Sequence, residues 1–149
     1  MIHLPARLLA DTFAIFQDCG GGRHECVAYW LSPTNTPDTI DEVVHPHHTA
    51  GHGGYEIDDR WLTSFWFELA RQQKSVRIQL HTHPHEPFHS ATDDHWALIH
   101  TSGFLSLVIP DYATGPVTLE GAFLTERTDR GWREVPVDAR LHILTEVNP

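Results

Sequence analysis

The hydrophobic patterning of this chain predicts an α+β fold, a mixed sheet flanked by helices. Three observations carry that expectation. Leu8, Leu9, Thr12, Phe13 and Phe16 recur at helical spacing, and so do Trp61, Leu62, Phe65, Trp66, Leu69 and Ala70. Short stretches elsewhere alternate between apolar and polar at the strand period of two, most clearly from Ser75 to His81. Gly, Pro and Asp clusters punctuate these stretches, with no repeat, low-complexity tract or long linker in the 149 residues. One domain spanning 1–149 is therefore expected, long enough to bury a real core.

Taken in order, the first helix covers Pro5 to Gln17, and Gly20-Gly21-Gly22 breaks the chain after it. Strands follow at Glu25–Leu31 and Thr39–Val44. His45, His47, His48 and His52 then fall in a Pro/Gly-rich segment. Scattered around Pro46 and three glycines, they show no fixed ligand geometry and read as a polar surface loop. Metal binding, or one rim of a substrate groove over Pro46 to Tyr55, is the alternative. Asp58 and Asp59 open the second helix, whose aromatic stripe reads as core.

In the strand from Ser75 to His81, Val76, Ile78 and Leu80 are apolar while Arg77, Gln79 and His81 are polar. A further helix opens at Ser90, ahead of Trp96, Ala97 and Ile99. Strands near Leu105–Ile109, Val117–Thr125 and Trp132–Val135 complete the sheet, the last two joined by a Thr128-Asp129-Arg130-Gly131 turn. Arg140 to Val147 reads as a final strand, with a helix as the alternative.

Twenty acidic residues against ten basic ones give a formal net charge of −10. Phosphate binding needs clustered Lys and Arg, so nucleic acid and anionic membrane surfaces are poor partners. A basic or neutral protein partner is easier to accommodate. The apolar runs, such as Phe104 to Ile109, are too short to span a bilayer. The N-terminus lacks the basic and apolar regions of a signal peptide, so a cytoplasmic location is expected. Cys19 and Cys26 are too few and too irregularly placed for a disulfide framework or a Cys-rich zinc site, and both are expected to be reduced.

The chemistry concentrates in His81-Thr82-His83-Pro84 and Ser90-Ala91-Thr92-Asp93, which span thirteen residues. Carried to the strand end, the period of two places His81 and His83 on one side, alpha carbons roughly 6.5–7 Å apart, close enough to share one ion at ~2.0–2.1 Å. Pro84 stops the strand. Ser90 is a natural helix cap, and Asp93 in the first turn can point back toward the strand end. With 13 histidines in the chain, an isolated His-x-His carries little information. The order of strand, His-x-His-Pro, short loop and capped helix carries much more.

These residues resemble the signature of the JAMM (MPN+, JAB domain) zinc metalloproteases: a glutamate on an early strand, then H-[ST]-H-P, then S-x-x-D. His81, Thr82, His83, Pro84, Ser90 and Asp93 match in order, and Glu25 best matches the early glutamate. The loop from His83 to Ser90 is one residue shorter than in the usual eukaryotic members. Counting from Ser90 selects Asp93 as third ligand, whereas counting from His83 selects Asp94. Adjacent helical positions diverge by ~100°, so only one can face the ion. Asp93 is favoured because cap and ligand share one rigid turn.

The resemblance implies a mostly antiparallel MPN/JAB-type sheet and one catalytic zinc held by His81, His83 and Asp93. It implies hydrolysis of a peptide or isopeptide bond, with Glu25 as general base and then acid and Ser90 donating to the oxyanion. The compact length resembles prokaryotic, deubiquitinase-like isopeptidases. These act on ubiquitin-like proteins beside activating-enzyme-like and conjugating-enzyme-like partners, including in antiviral defence operons. A hydrolase with the same site but a small or sulfur-carrier C-terminal substrate is one alternative. A metal-free scaffold of the same fold is another, opposed by the presence of both histidines, the aspartate and the glutamate. An amidohydrolase barrel needs about 250 residues, and a nucleobase deaminase needs H-x-E with Cys-x-x-Cys. The chain has neither.

Overall fold

The computed structural model describes residues 1–51, 54–85, 99 and 101–145. Along the chain come β1 (Ile2–Pro5), α1 (Ala6–Gly20), β2 (Val27–Pro33), β3 (Glu42–Val44), β4 (His48–Gly51) and β5 (Gly54–Ile57). Then follow α2 (Asp59–Gln72), β6 (Lys74–Thr82), β7 (Leu105–Ile109), a 3-10 turn (Asp111–Ala113), β8 (Phe123–Thr128), β9 (Gly131–Val135) and β10 (Leu141–Leu144).

The main sheet has the order β3-β2-β6-β7-β8-β9. Its neighbours are antiparallel except β6 and β7, which run parallel with Ile78 opposite Leu105 and Thr82 opposite Ile109. This is the mixed, mostly antiparallel α+β architecture expected. A parallel pair requires a crossover connection. The helix expected at Ser90 would belong to that crossover and lies outside the described residues.

The periodic residues of α1, Leu8, Leu9, Thr12, Phe13 and Phe16, are all buried. The helix runs to Gly20, three residues past the expected end. Its stop is Gly21 in the left-handed region at φ 56°, with its N–H donating to the Gln17 carbonyl. In α2 the Asp58 carboxylate accepts from the Trp61 N–H at 2.8 Å, the cap the sequence announces. Phe65 and Leu69 are buried and Trp61 and Leu62 half-buried, but Trp66 and Ala70 are exposed. The core stripe is therefore narrower than expected, because one sheet face covers only part of the helix circumference.

The main sheet divides the core, and a β-bulge decides the side that Val76 takes. Trp30 pairs with Ile78, yet Leu31 pairs with Val76, which leaves Arg77 as an extra residue in β6. Ile78 and Leu80 consequently pack with α1 residues such as Phe13 and Phe16. Val76 joins Tyr29, Phe65 and Leu69 in a second cluster. Simple alternation had put Val76 with Ile78 and Leu80; the bulge reverses its side.

Several bounds also move. β2 begins at Val27 rather than Glu25, and Thr39 makes only an isolated bridge to His3 before β3. β8 begins at Phe123 rather than Val117, after a stretch of turns and bends. The parallel pair β1–β10 and the hairpin β4–β5 lie where no strand or a loop was expected, except that β10 falls within the expected final strand.

Two stability results follow. The Trp30 indole N–H donates to Thr12 Oγ1 at 2.9 Å, and that hydroxyl donates to the Leu8 carbonyl at 2.6 Å. Thr12→Val removes the acceptor from a buried donor and is expected to cost about 1–3 kcal/mol, read as a lower urea midpoint. On β8, the Glu126 carboxylate accepts from Arg140 and Arg133, each at 2.7 Å. Those two hydrogen bonds, Arg140 first, hold its carboxyl below the usual carboxylate range. The stabilisation is thus present above the unfolded pKa of about 4.3 and fades as pH falls through the lower folded value. Glu126→Gln is expected to lower the urea midpoint at neutral pH, by about 1 kcal/mol or less, and to have a vanishing effect in acid.

Candidate metal centre

β6 delivers His81 and His83 at its carboxyl end, with relative exposures of 0% and 4%. Their imidazole centroids are 5.0 Å apart and the planes are inclined at 49°. Two imidazoles on one tetrahedral ion, each nitrogen ~2.0–2.1 Å from it, bring the ring centres to roughly 5 Å, so the pair fits a shared zinc.

The strand ladder brings the residue next to Glu25 to the same place. Val27 pairs with His81, and the ladder continues one residue past β2. The Thr82 N–H donates to the Cys26 carbonyl at 3.0 Å, and the Cys26 N–H donates to Thr82 Oγ1 at 2.9 Å. Glu25, half-buried, is the next residue before Cys26, as His83 is the next after Thr82. Thr82, between the histidines, thus ties the histidine strand to the glutamate strand through its hydroxyl.

His83 lies just beyond β6 yet is held at both backbone groups. Its N–H donates to the Ile109 carbonyl at 2.9 Å, and its carbonyl accepts from the Tyr112 N–H at 2.8 Å. Tyr112 belongs to a left-handed turn in which Asp111, Tyr112 and Ala113 have φ of 56°, 53° and 58°. Such backbone costs roughly 1–2 kcal/mol per residue. The clamp on His83, and the Gln17 side-chain amide donating to the Ala113 carbonyl at 3.0 Å, hold it there.

Ser90, Asp93 and Asp94 lie outside the described residues, as do His52, His89 and His95. His85 is exposed, and its carbonyl accepts from the Asp111 N–H.

The cysteines correct the sequence reading. Cys19 and Cys26 form a disulfide, Cα atoms 6.3 Å apart. The Gly20–Gly22 break folds the chain back so that the last turn of α1 meets the residue before β2. Beyond β3 the chain returns over this pair: His45 Nε2 lies 3.3 Å from Cys26 Sγ, and His48 Nε2 3.5 Å from Cys19 Sγ. The histidine segment is therefore no shapeless loop. Pro46 is buried and His48 begins β4. The residues Cys19, His24 and 45–48 line an open pocket of about 450 Å³. Burial first, then the neighbouring His48 and His47, lower the His45 pKa, against the pull of Asp18. Local spacing offered one faint signal, a cysteine on either side of a triple glycine and a His-x-x-His around Pro46; their meeting is a long-range event.

No helix among the described residues is long and apolar enough to cross a membrane. No family model matches the chain. A probable metalloprotease from Sinorhizobium fredii is 28% identical over 97% of this chain and 93% of its own length. Among solved structures, a protein from Desulfitobacterium hafniense has a TM-score of 0.70 at 14% identity, covering 99% of this chain and 95% of that one. A JAB1/MPN domain protein from Archaeoglobus fulgidus has a TM-score of 0.51 at 13% identity, covering 96% and 97%. The fold is that of JAB1/MPN domains.

Proposed function

We propose that this chain is a zinc-dependent isopeptidase or peptidase that releases a ubiquitin-like protein from conjugates or trims its C-terminal extension. The observation that carries the reading is the buried His81–His83 pair at the carboxyl end of β6, with Cys26, the neighbour of Glu25, hydrogen-bonded to Thr82 between them. The S. fredii relative and the JAB1/MPN fold support the peptidase half of the reading.

His81 and His83 would hold the ion with Asp93. Bound zinc lowers the pKa of water toward ~7 and polarises a carbonyl. Glu25 takes the proton from the attacking water and delivers it to the leaving amine. Ser90 donates a hydrogen bond to the oxygen that gains charge, a contribution of ~10²–10³ in rate for one such donor. The net charge of −10 suits a neutral or basic protein substrate, and conjugation enzymes encoded alongside would supply it. The segment from Pro46 to Tyr55 would supply one rim of the substrate groove.

The test is cleavage of a fusion in which a ubiquitin-like protein carries a C-terminal extension. Chelator-sensitive release at the fusion junction is expected, and zinc should restore it. Release that resists chelation would refute the metal mechanism. A zinc-loaded protein that leaves the fusion intact but hydrolyses a short C-terminal peptide would move the substrate from a folded conjugate to a small tail.

A further inference from the structure

Four ligand-type side chains other than His81 and His83 converge. Cys19 Sγ, Cys26 Sγ and one ring nitrogen each of His45 and His48 all lie within 4.8 Å of one another. A tetrahedral zinc with Zn–S ~2.3 Å and Zn–N ~2.0–2.1 Å has ligand-to-ligand edges of about 3.3–3.8 Å. The two sulfur-to-nitrogen distances, 3.3 and 3.5 Å, already fall in that range.

The His48 tautomer agrees. Its Nδ1 lies 2.9 Å from the Pro46 carbonyl, which can only accept, so Nδ1 carries the hydrogen. In the neutral ring Nε2 then turns its lone pair toward the sulfurs. A backbone carbonyl on the remote nitrogen is how proteins commonly orient a ligating histidine.

We propose that Cys19, Cys26, His45 and His48 form a second zinc site in the reduced protein, a structural one distinct from the His81–His83 centre. The disulfide and the metal are alternative states of the same two sulfurs. A dithiol reductant delivers two electrons and two protons to the Cys19–Cys26 bond and becomes a disulfide itself. Zn²⁺ then displaces the two thiol protons and binds two thiolates and two neutral imidazoles. That centre has no net charge, which suits the buried Cys26 and half-buried Cys19 and His48. Four protein ligands leave no open position, so the ion fastens rather than catalyses. It joins the end of α1, the residue beside Glu25 and the segment entering β4.

The test uses the full-length chain, reduced with a dithiol and loaded with Co²⁺ or Zn²⁺ alone. The His81→Ala/His83→Ala double variant is expected to keep one zinc equivalent, and its cobalt form to show a thiolate-to-cobalt charge-transfer band. That band should disappear in His45→Ala/His48→Ala and in protein left oxidised. The wild-type cobalt spectrum needs no substitution, so a variant that fails to fold does not block the answer. The proposal is overturned if reduced, folded wild type shows no thiolate-to-cobalt band. It is equally overturned if the His81→Ala/His83→Ala protein, folded and reduced, retains no zinc. Neither readout involves peptide cleavage, so failure here leaves the hydrolase reading untouched, and the reverse also holds.

Discussion

Glu25→Gln is expected to abolish turnover while fold and metal content stay as in the wild type. The amide keeps the shape of the side chain, so the half-buried position ahead of β2 and the paired Cys26–Thr82 hydrogen bonds are undisturbed. What it loses is the basic oxygen that accepts the proton of water. General acid–base catalysis contributes ~10²–10⁴ in rate, and one residue acting as base and then acid places the loss at the upper end. The measurement is single-turnover cleavage of the ubiquitin-like fusion, with zinc content and thermal midpoint recorded on the same sample. Undiminished cleavage would remove Glu25 from the mechanism, and cleavage lost together with zinc would make it a ligand.

His83→Ala is expected to lose the catalytic zinc and reduce cleavage to background. The residue is 4% exposed and its imidazole sits 5.0 Å from that of His81, so the substitution takes away one of the two buried nitrogen donors at the strand end. The backbone clamp to Ile109 and Tyr112 uses main-chain groups only and survives the substitution. Folding should therefore persist, which separates loss of metal from loss of structure. Equilibrium dialysis against zinc should show one fewer equivalent than wild type, with thiols reduced in both. Paired Asp93→Asn and Asp94→Asn variants complete the assignment, since the third ligand is the one whose change empties the same site. A His83→Ala protein that still binds the full complement of zinc would sink the His81–His83 assignment.

Much of this was legible in the residues. α1 and α2 were readable because their stripes and caps are local: Leu8 to Phe16 repeat within one segment, and Asp58 caps three residues away. His81 and His83 were readable because a strand end places residues two apart on one side whatever the rest of the chain does. The narrower face of α2, which leaves Trp66 exposed, depends on how much of the sheet the helix covers. Periodicity does not report that.

The sequence alone determined α1, α2, most of the described strands and the pairing of two imidazoles at one strand end, because each rests on contacts within a few residues. The tertiary structure decided what depends on distant segments meeting. Pairing of β2 with β6 brought Cys26, the neighbour of Glu25, against Thr82 between the two histidines, across more than fifty residues. The bulge at Arg77 sent Val76 to the other core. The glycine break and the return from β3 gathered Cys19, Cys26, His45 and His48 into one cluster. Such meetings are selected by burial and backbone pairing summed over the whole sheet, a quantity no single segment contains.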